Sequence, residues 1–254
     1  MIFARFRSDA IALLSLFLLN TICTMSSHAD EPSPKLKTKE FTSEVTVKVG
    51  YHYALYTPEE YAAHPKKYWP LIIFLHGSGE RGEDVNVLTR HGPPKLVAGG
   101  KSFPAFIASP QAPEHNVWEP HSVKALVDAM VREYRIDEDR IYITGMSMGG
   151  YGVWDAIMNY PHTFAAAVPI CGGAGVKFVA AERIKHIPVW IFHGAEDDEV
   201  PVGNSQRIYD ALVEAGGHPK LTIYAGVKHD SWTRTYEDPD LWTWLFAQKR
   251  GGKD

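Results

Sequence analysis

The stretch Leu71–Leu75, Leu-Ile-Ile-Phe-Leu, constrains this chain most: five consecutive apolar residues with no polar position among them. A strand with one wet face alternates apolar and polar residues. An unbroken run points instead to a strand covered on both faces, as in a parallel sheet sandwiched between helices. Apolar, strand-like runs recur at 105–108, 141–143, 165–170, 189–192 and 221–224. Between them the spacing turns helical. Val123, Leu126, Val127, Met130, Val131 and Tyr134 share one face; 148–159 reads as a helix stopped by Pro161; 205–215 ends at Gly216-Gly217; 241–249 closes the chain with an apolar helix. Asp137–Arg140 reads as a turn ahead of the strand at 141. The alternation predicts an α/β architecture, a mostly parallel sheet with helices on both faces. Residues 45–49 and 51–56 alternate around Gly50 and predict a leading antiparallel strand pair.

With 254 residues, 45% of them hydrophobic and 22% charged, the chain has ordinary globular composition. One domain, 44–250, suffices to hold the predicted elements. The net charge of −4 leaves no basic field for nucleic acid. Ahead of the domain, Arg5 and Arg7 precede the apolar stretch 11–19, and Ser27-His28-Ala29 forms a small-x-small site. This predicts a signal peptide over 1–29, then a Pro/Lys/Ser/Thr-rich linker over 30–43, and a secreted or periplasmic bacterial protein. The apolar stretch is short for a membrane span, so no stable membrane insertion of the mature chain is expected; an uncleaved anchor is the rival reading. Cleavage after Ala29 removes Cys23 and leaves Cys171 without a disulfide partner.

Ser147 stands at the apex of Gly145-Met-Ser-Met-Gly149, between the strand at 141 and the helix at 148. A sharp strand-to-helix turn needs small neighbours and exposes the hydroxyl at its apex, which points to a nucleophile. A serine needs a base, and His229 follows the last predicted strand. The base needs an acid to hold its tautomer, and the loop after 189–192 offers Asp197 and Asp198, with Glu196 and Glu199 beside them. For the oxyanion, the backbone N–H of Met148 follows the nucleophile, and the glycine-rich loop 76–82 offers Ser78, with Gly79 next. That loop lacks the Gly-Lys-Ser/Thr ending of a phosphate-binding loop, and neither His-Glu-x-x-His nor paired-cysteine spacing occurs. No metal or cofactor is expected.

These motifs, "FLHGSGERGED", "HGPPKL", "SPQAP", "RIYITGMSMGGYGVWD", "YPHTFAAAVPICGG", "WIFHGAEDDEVP" and "KHDSW", resemble the α/β-hydrolase superfamily. Within it the chain is similar to bacterial carboxylesterases of the phospholipase/carboxylesterase, dienelactone-hydrolase-like and feruloyl-esterase-like groups. The resemblance implies a Ser147–His229–Asp197 triad, the acid being the aspartate three residues before Val200-Pro201, and makes Ser78 an oxyanion donor. Only 18 residues separate Ile170 from Val189, too few for the lid domain that many relatives insert there, so an open site is expected. Trp232 and Trp118 are the aromatic side chains expected to line it. Glu80, Arg81, Glu83 and Asp84 read as a charged brace on the oxyanion loop, and 91–95 as a rigid loop at the rim.

The expected activity is hydrolysis of short-acyl, phenolic or carbohydrate-linked esters, on a small molecule or a polysaccharide. A serine peptidase of the prolyl-oligopeptidase type would carry the same triad, although no propeller-like region precedes it. A non-catalytic binding protein would be expected to have lost one of the three residues.

Overall fold

Leu71, Ile73 and Leu75 point to one side of a sheet and Ile72 and Phe74 to the other, and all five are buried. That two-sided burial explains the missing alternation. Each such side chain contributes about 1.5–3 kcal/mol relative to exposure. The computed structural model describes residues 38–44, 46 and 48–251. The predicted signal peptide and most of the linker therefore lie outside the described residues, and Thr38–Ser43 carry no regular structure.

Among the described residues seven strands form one sheet: β1 (Tyr53–Tyr56), β2 (Trp69–Leu75), β3 (Phe106–Pro110), β4 (Ile136–Met146), β5 (Ala166–Ile170), β6 (Trp190–Gly194) and β7 (Lys220–Tyr224). Their order is β1-β3-β2-β4-β5-β6-β7, and every pair is parallel except β1 with β3. The antiparallel element is thus at the leading edge, with β3 as its partner rather than the stretch before it. Thr46, Lys48 and Val49 lie in no strand, and Val45 and Val47 are outside the described residues.

Helices α1 (Gly92–Ala98), α2 (Pro120–Glu133), α3 (Met148–Asn159), α4 (Gly203–Glu214), α5 (Trp232–Glu237) and α6 (Pro239–Ala247) flank the sheet. Val123 and Val127 of α2, Val153 and Ile157 of α3, and Ile208 and Leu212 of α4 join the core of Leu71, Ile73 and Leu75. Leu241, Trp242 and Leu245 of α6 cover the side of Ile72 and Phe74. The link from β5 to β6 holds helical turns over Gly175–Ile184 and no inserted domain. Among the described residues no helix is long and apolar enough to cross a membrane.

Two local expectations are corrected. Asp137–Arg140 is not a turn ahead of the strand; it lies within β4, as a bulge in the register against β2. Between the pairs Trp69–Ile136 and Leu71–Ile141, β2 advances two residues and β4 five. The residue skipped on β2 is Pro70, which has no N–H to donate to a ladder. The Asp137 carboxylate closes the bulge by accepting from the Asp139 N–H and from Arg140 Nε. The rim segment at 91–95 opens α1 rather than forming a loop. Pro93 and Pro94 sit in its first turn, where a missing N–H costs nothing.

Candidate active site

Because β2, β4, β6 and β7 run parallel, the loops that leave their C-terminal ends share one edge of the sheet. Ser147 follows β4, Asp197 follows β6, His229 follows β7, and the loop 76–91 follows β2. This is where open α/β sheets present ligand-facing loops.

Ser147 caps α3 with φ 52° and ψ −117°, a conformation an L-residue adopts at a cost of about 1–3 kcal/mol. The turn is forced by a close approach: a Cβ on Gly149 would lie 1.9 Å from the Leu75 carbonyl oxygen. Serine at such a position commonly accepts a hydrogen bond from the helix it caps, but Ser147 makes no such bond. Its Oγ stands 2.9 Å from His229 Nε2 instead, and its own N–H donates to the Ile170 carbonyl.

His229 Nδ1 lies 2.8 Å from Asp197 Oδ2. A carboxylate can only accept, so Nδ1 carries the proton and Nε2 is left to accept from the Ser147 hydroxyl. The Asp197 side chain is fully buried. Burial alone would raise its pKa, but the His229 hydrogen bond and the N–H groups of Val200 and Glu199 outweigh it and hold the carboxyl below its ordinary value. His193 adds a fourth contact, with Nε2 3.1 Å from Asp197 Oδ2 and 2.9 Å from the Val200 carbonyl. Burial lowers the His193 pKa, against the Val200 carbonyl and Asp197, which raise it; its Nδ1 meets Ser205 Oγ at 2.7 Å. The acid and histidine loops are tied together by Ala195 N–H to the Tyr224 carbonyl and Glu196 N–H to the Val227 carbonyl.

A model of the dienelactone hydrolase family matches residues 110–240, which include Ser147, Asp197 and His229. The chain belongs to the dienelactone hydrolase family. It is similar to a secreted protein of Arthroderma benhamiae, 28% identical over 199 residues, which cover 63% of this chain and 21% of that protein. It is also similar to a bifunctional acetylxylan esterase/xylanase of Neocallimastix patriciarum, 27% identical over 182 residues, 69% of this chain and 26% of that one. The chain thus spans about a quarter of the length of these two relatives. Among solved structures, a thermostable esterase superposes with a TM-score of 0.68 at 39% identity, over 78% of this chain and 59% of that one.

In this family member the remaining predicted residues fall in different places. Met148 opens α3, so its N–H lies in the unpaired first turn of the helix, directly after Ser147. Ser78 opens the short helical turn Ser78–Glu80 after β2. Asp198 is exposed and pairs with Lys228 at 2.9 Å. Trp232 packs edge-on against His229, with ring centroids 5.2 Å apart and planes at 88°. Trp118 is not brought to the site. It is 3% exposed, donates its indole N–H to the His76 carbonyl, and packs against Tyr51 and His76. The Gly152 position lets α3 lie on its ring, where a Cβ would come within 2.8 Å of Cγ.

Cys171, Asp197 and His229 hold potential ligand atoms within 4.8 Å of one another. Burial pushes the Cys171 thiol up to about 12, against the Ser147 N–H and the Ser231 hydroxyl that ease it. The donor set therefore lacks a ready thiolate, and both His229 nitrogens are engaged with Asp197 and Ser147. His193 and His91 are the neighbours that sequence reasoning missed. The signal for His193 was the His-Gly pair ending β6, which repeats His76-Gly77 at the end of β2.

Proposed function

We propose that this chain is an exported serine carboxylester hydrolase with Ser147 as nucleophile, His229 as general base and acid, and Asp197 as the group that orients His229. The observation that carries the reading is the unbroken contact chain from Asp197 Oδ2 through His229 to Ser147 Oγ, at 2.8 and 2.9 Å, on a turn that frees the serine hydroxyl from helix capping. Ser147 attacks the ester carbonyl while Nε2 of His229 takes its proton, and the buried Asp197 carboxylate stabilises the imidazolium. The N–H groups of Met148 and Ser78 receive the oxyanion. His229 then protonates the leaving alcohol, and water releases the acid by the same route in reverse.

Short-acyl, phenolic or carbohydrate-linked esters are the substrate class. The similarity to an acetylxylan esterase/xylanase and to a thermostable esterase supports the ester side of this reading. The short link between β5 and β6 supports an open site able to reach ester branches on a polymer. Export is supported by the charged, apolar and small-residue pattern of 1–29, followed by the linker 30–43 and the catalytic domain 44–250, and by similarity to a secreted protein.

The test is hydrolysis of short-chain and feruloyl nitrophenyl-type esters by wild type and Ser147→Ala, with a peptide amide in parallel. The substitution is expected to lower kcat on the order of 10⁴-fold or more, with no amide turnover in wild type. Activity surviving in Ser147→Ala would sink the nucleophile assignment, and amide cleavage at a comparable rate would move the chain to the peptidases.

A further inference from the structure

The loop after β2 carries a charge that the proposed reaction does not use. Glu80 is 5% exposed, and its Oε2 has no hydrogen-bond partner among the described residues. A buried carboxylate is costly unless donors or positive groups face it. Two histidines face this one: His76 Nδ1 lies 3.9 Å from Oε2, and His91 Nε2 lies 3.7 Å from Oε1. His76 is already committed, since its Nδ1 donates to the Gly77 carbonyl and its Nε2 accepts from the Ala112 N–H. His91 is committed elsewhere only through Nδ1, which accepts from the Trp232 indole N–H at 3.3 Å. That bond leaves the proton on Nε2, the nitrogen turned toward Glu80.

The contacts continue to the proposed base. The His91 ring meets Trp232 at 5.6 Å and 74°, and Trp232 meets His229 at 5.2 Å and 88°. The backbone beside His91 is pinned as well. Gly92 has φ +65°, and a Cβ there would stand 2.5 Å from the Phe74 ring. An indole beside an imidazole has several rotamers open to it until its N–H is held. Here a half-buried histidine holds the N–H, and a buried carboxylate faces the histidine.

We propose that Glu80 and His91 are positioning residues for His229. Glu80 orients His91, His91 fixes the Trp232 indole, and the indole keeps the His229 imidazole in line with Ser147. This rests on the serine-hydrolase reading above. Small misplacements of a reacting group cost large factors in rate while leaving the binding of a small substrate nearly untouched.

The experiment compares wild type, His91→Leu, His91→Gln, Trp232→Phe and the His91→Leu/Trp232→Phe double variant on one short neutral ester, with thermal unfolding of each as a folding control. A fluorophosphonate probe titrates Ser147 in parallel. His91→Leu is expected to lower kcat by about tenfold or more with KM within about twofold. His91→Gln, which keeps an acceptor for the indole and turns an N–H toward Glu80, recovers most of the loss. Trp232→Phe keeps a ring but no N–H, and the double variant is no worse than the more impaired single one. Unchanged kcat in a folded His91→Leu, a change confined to KM, or losses that multiply in the double variant would overturn the proposal while leaving the triad standing. A wild type that the probe does not modify at Ser147 would remove the serine-hydrolase reading, and the positioning role with it.

Discussion

At the scale of single residues, the loop after β6 shows how two adjacent aspartates receive different fates. The Asp197 side chain is fully buried and accepts from two backbone N–H groups and from His229, while Asp198 is exposed and faces Lys228. Surface pairs such as Asp198–Lys228 contribute little. A buried carboxylate that fixes a tautomer does more, because its amide analogue can donate as well as accept and so stabilises the wrong imidazole tautomer. Asp197→Asn is therefore expected to lower kcat on the order of 10³–10⁴-fold with the fold intact. Asp198→Asn is expected to stay within about twofold of wild type, since it removes only an exposed pair. Steady-state kinetics on one ester checks both, and comparable losses in the two variants would show that the acid is misassigned. The choice between these aspartates was open from spacing alone and rested on resemblance. What separates them is burial, a property of the packed loop that neighbouring identical side chains cannot reveal.

At the scale of elements, the turn between β4 and α3 was the most legible part of the chain, because its requirement is local and steric. Gly149 is demanded by the Leu75 carbonyl lying 1.9 Å from where its Cβ would be, a contact between the first turn of α3 and the end of β2. Gly149→Ala must push α3 away from β2. It is expected to destabilise the fold by several kcal/mol, beyond the 0.5–3 kcal/mol of ordinary substitutions. It should also lower activity in whatever fraction still folds, because the displaced helix carries both Ser147 and the Met148 N–H. Urea unfolding alongside ester turnover tests this; wild-type stability in the variant would refute the steric argument. Strand and helix positions were legible for the same local reason, through apolar runs and helical spacing. The bulge at Asp137–Arg140 was not, because it exists only in the register of β4 against β2, a different strand. Likewise the partnership of His91 with Trp232 joins residues 141 positions apart, and the burial of Trp118 follows from α3 lying across it at Gly152. No window on the sequence contains either pair.

At the scale of the whole molecule, the site is built on two buried histidines whose pKa values burial lowers, and this sets its response to acid. Burial lowers the pKa of His76 from 6.5 to about 4, with the hydrogen bond to the Gly77 carbonyl opposing the shift and Arg81 adding to it; burial lowers His193 in the same direction. The unfolded chain protonates these rings near 6.5, whereas the folded chain holds His76 neutral down to about 4. Between those values the unfolded state binds more protons, so stability falls as pH falls, by up to about 1.4 kcal/mol per pH unit for each such group. For His76 the whole window amounts to about 3 kcal/mol. Asp197 acts in a lower window. Its pKa is depressed, so its contribution is complete above the ordinary carboxylate value and is lost only as pH drops through the folded one. Acid should therefore weaken the protein first through its histidines, well before the carboxylates protonate. His76→Asn separates the two. It loses the acceptor that satisfies the Ala112 N–H and is expected to be less stable than wild type at pH 7, yet to lose less on going to pH 4.5. Urea midpoints at pH 7, 5.5 and 4.5 should bring the two proteins closer by about 2–3 kcal/mol. Parallel curves would mean that His76 takes up its proton as readily in the folded chain as in the unfolded one, and that the loop after β2 opens to water far more than its packing against Trp118 allows.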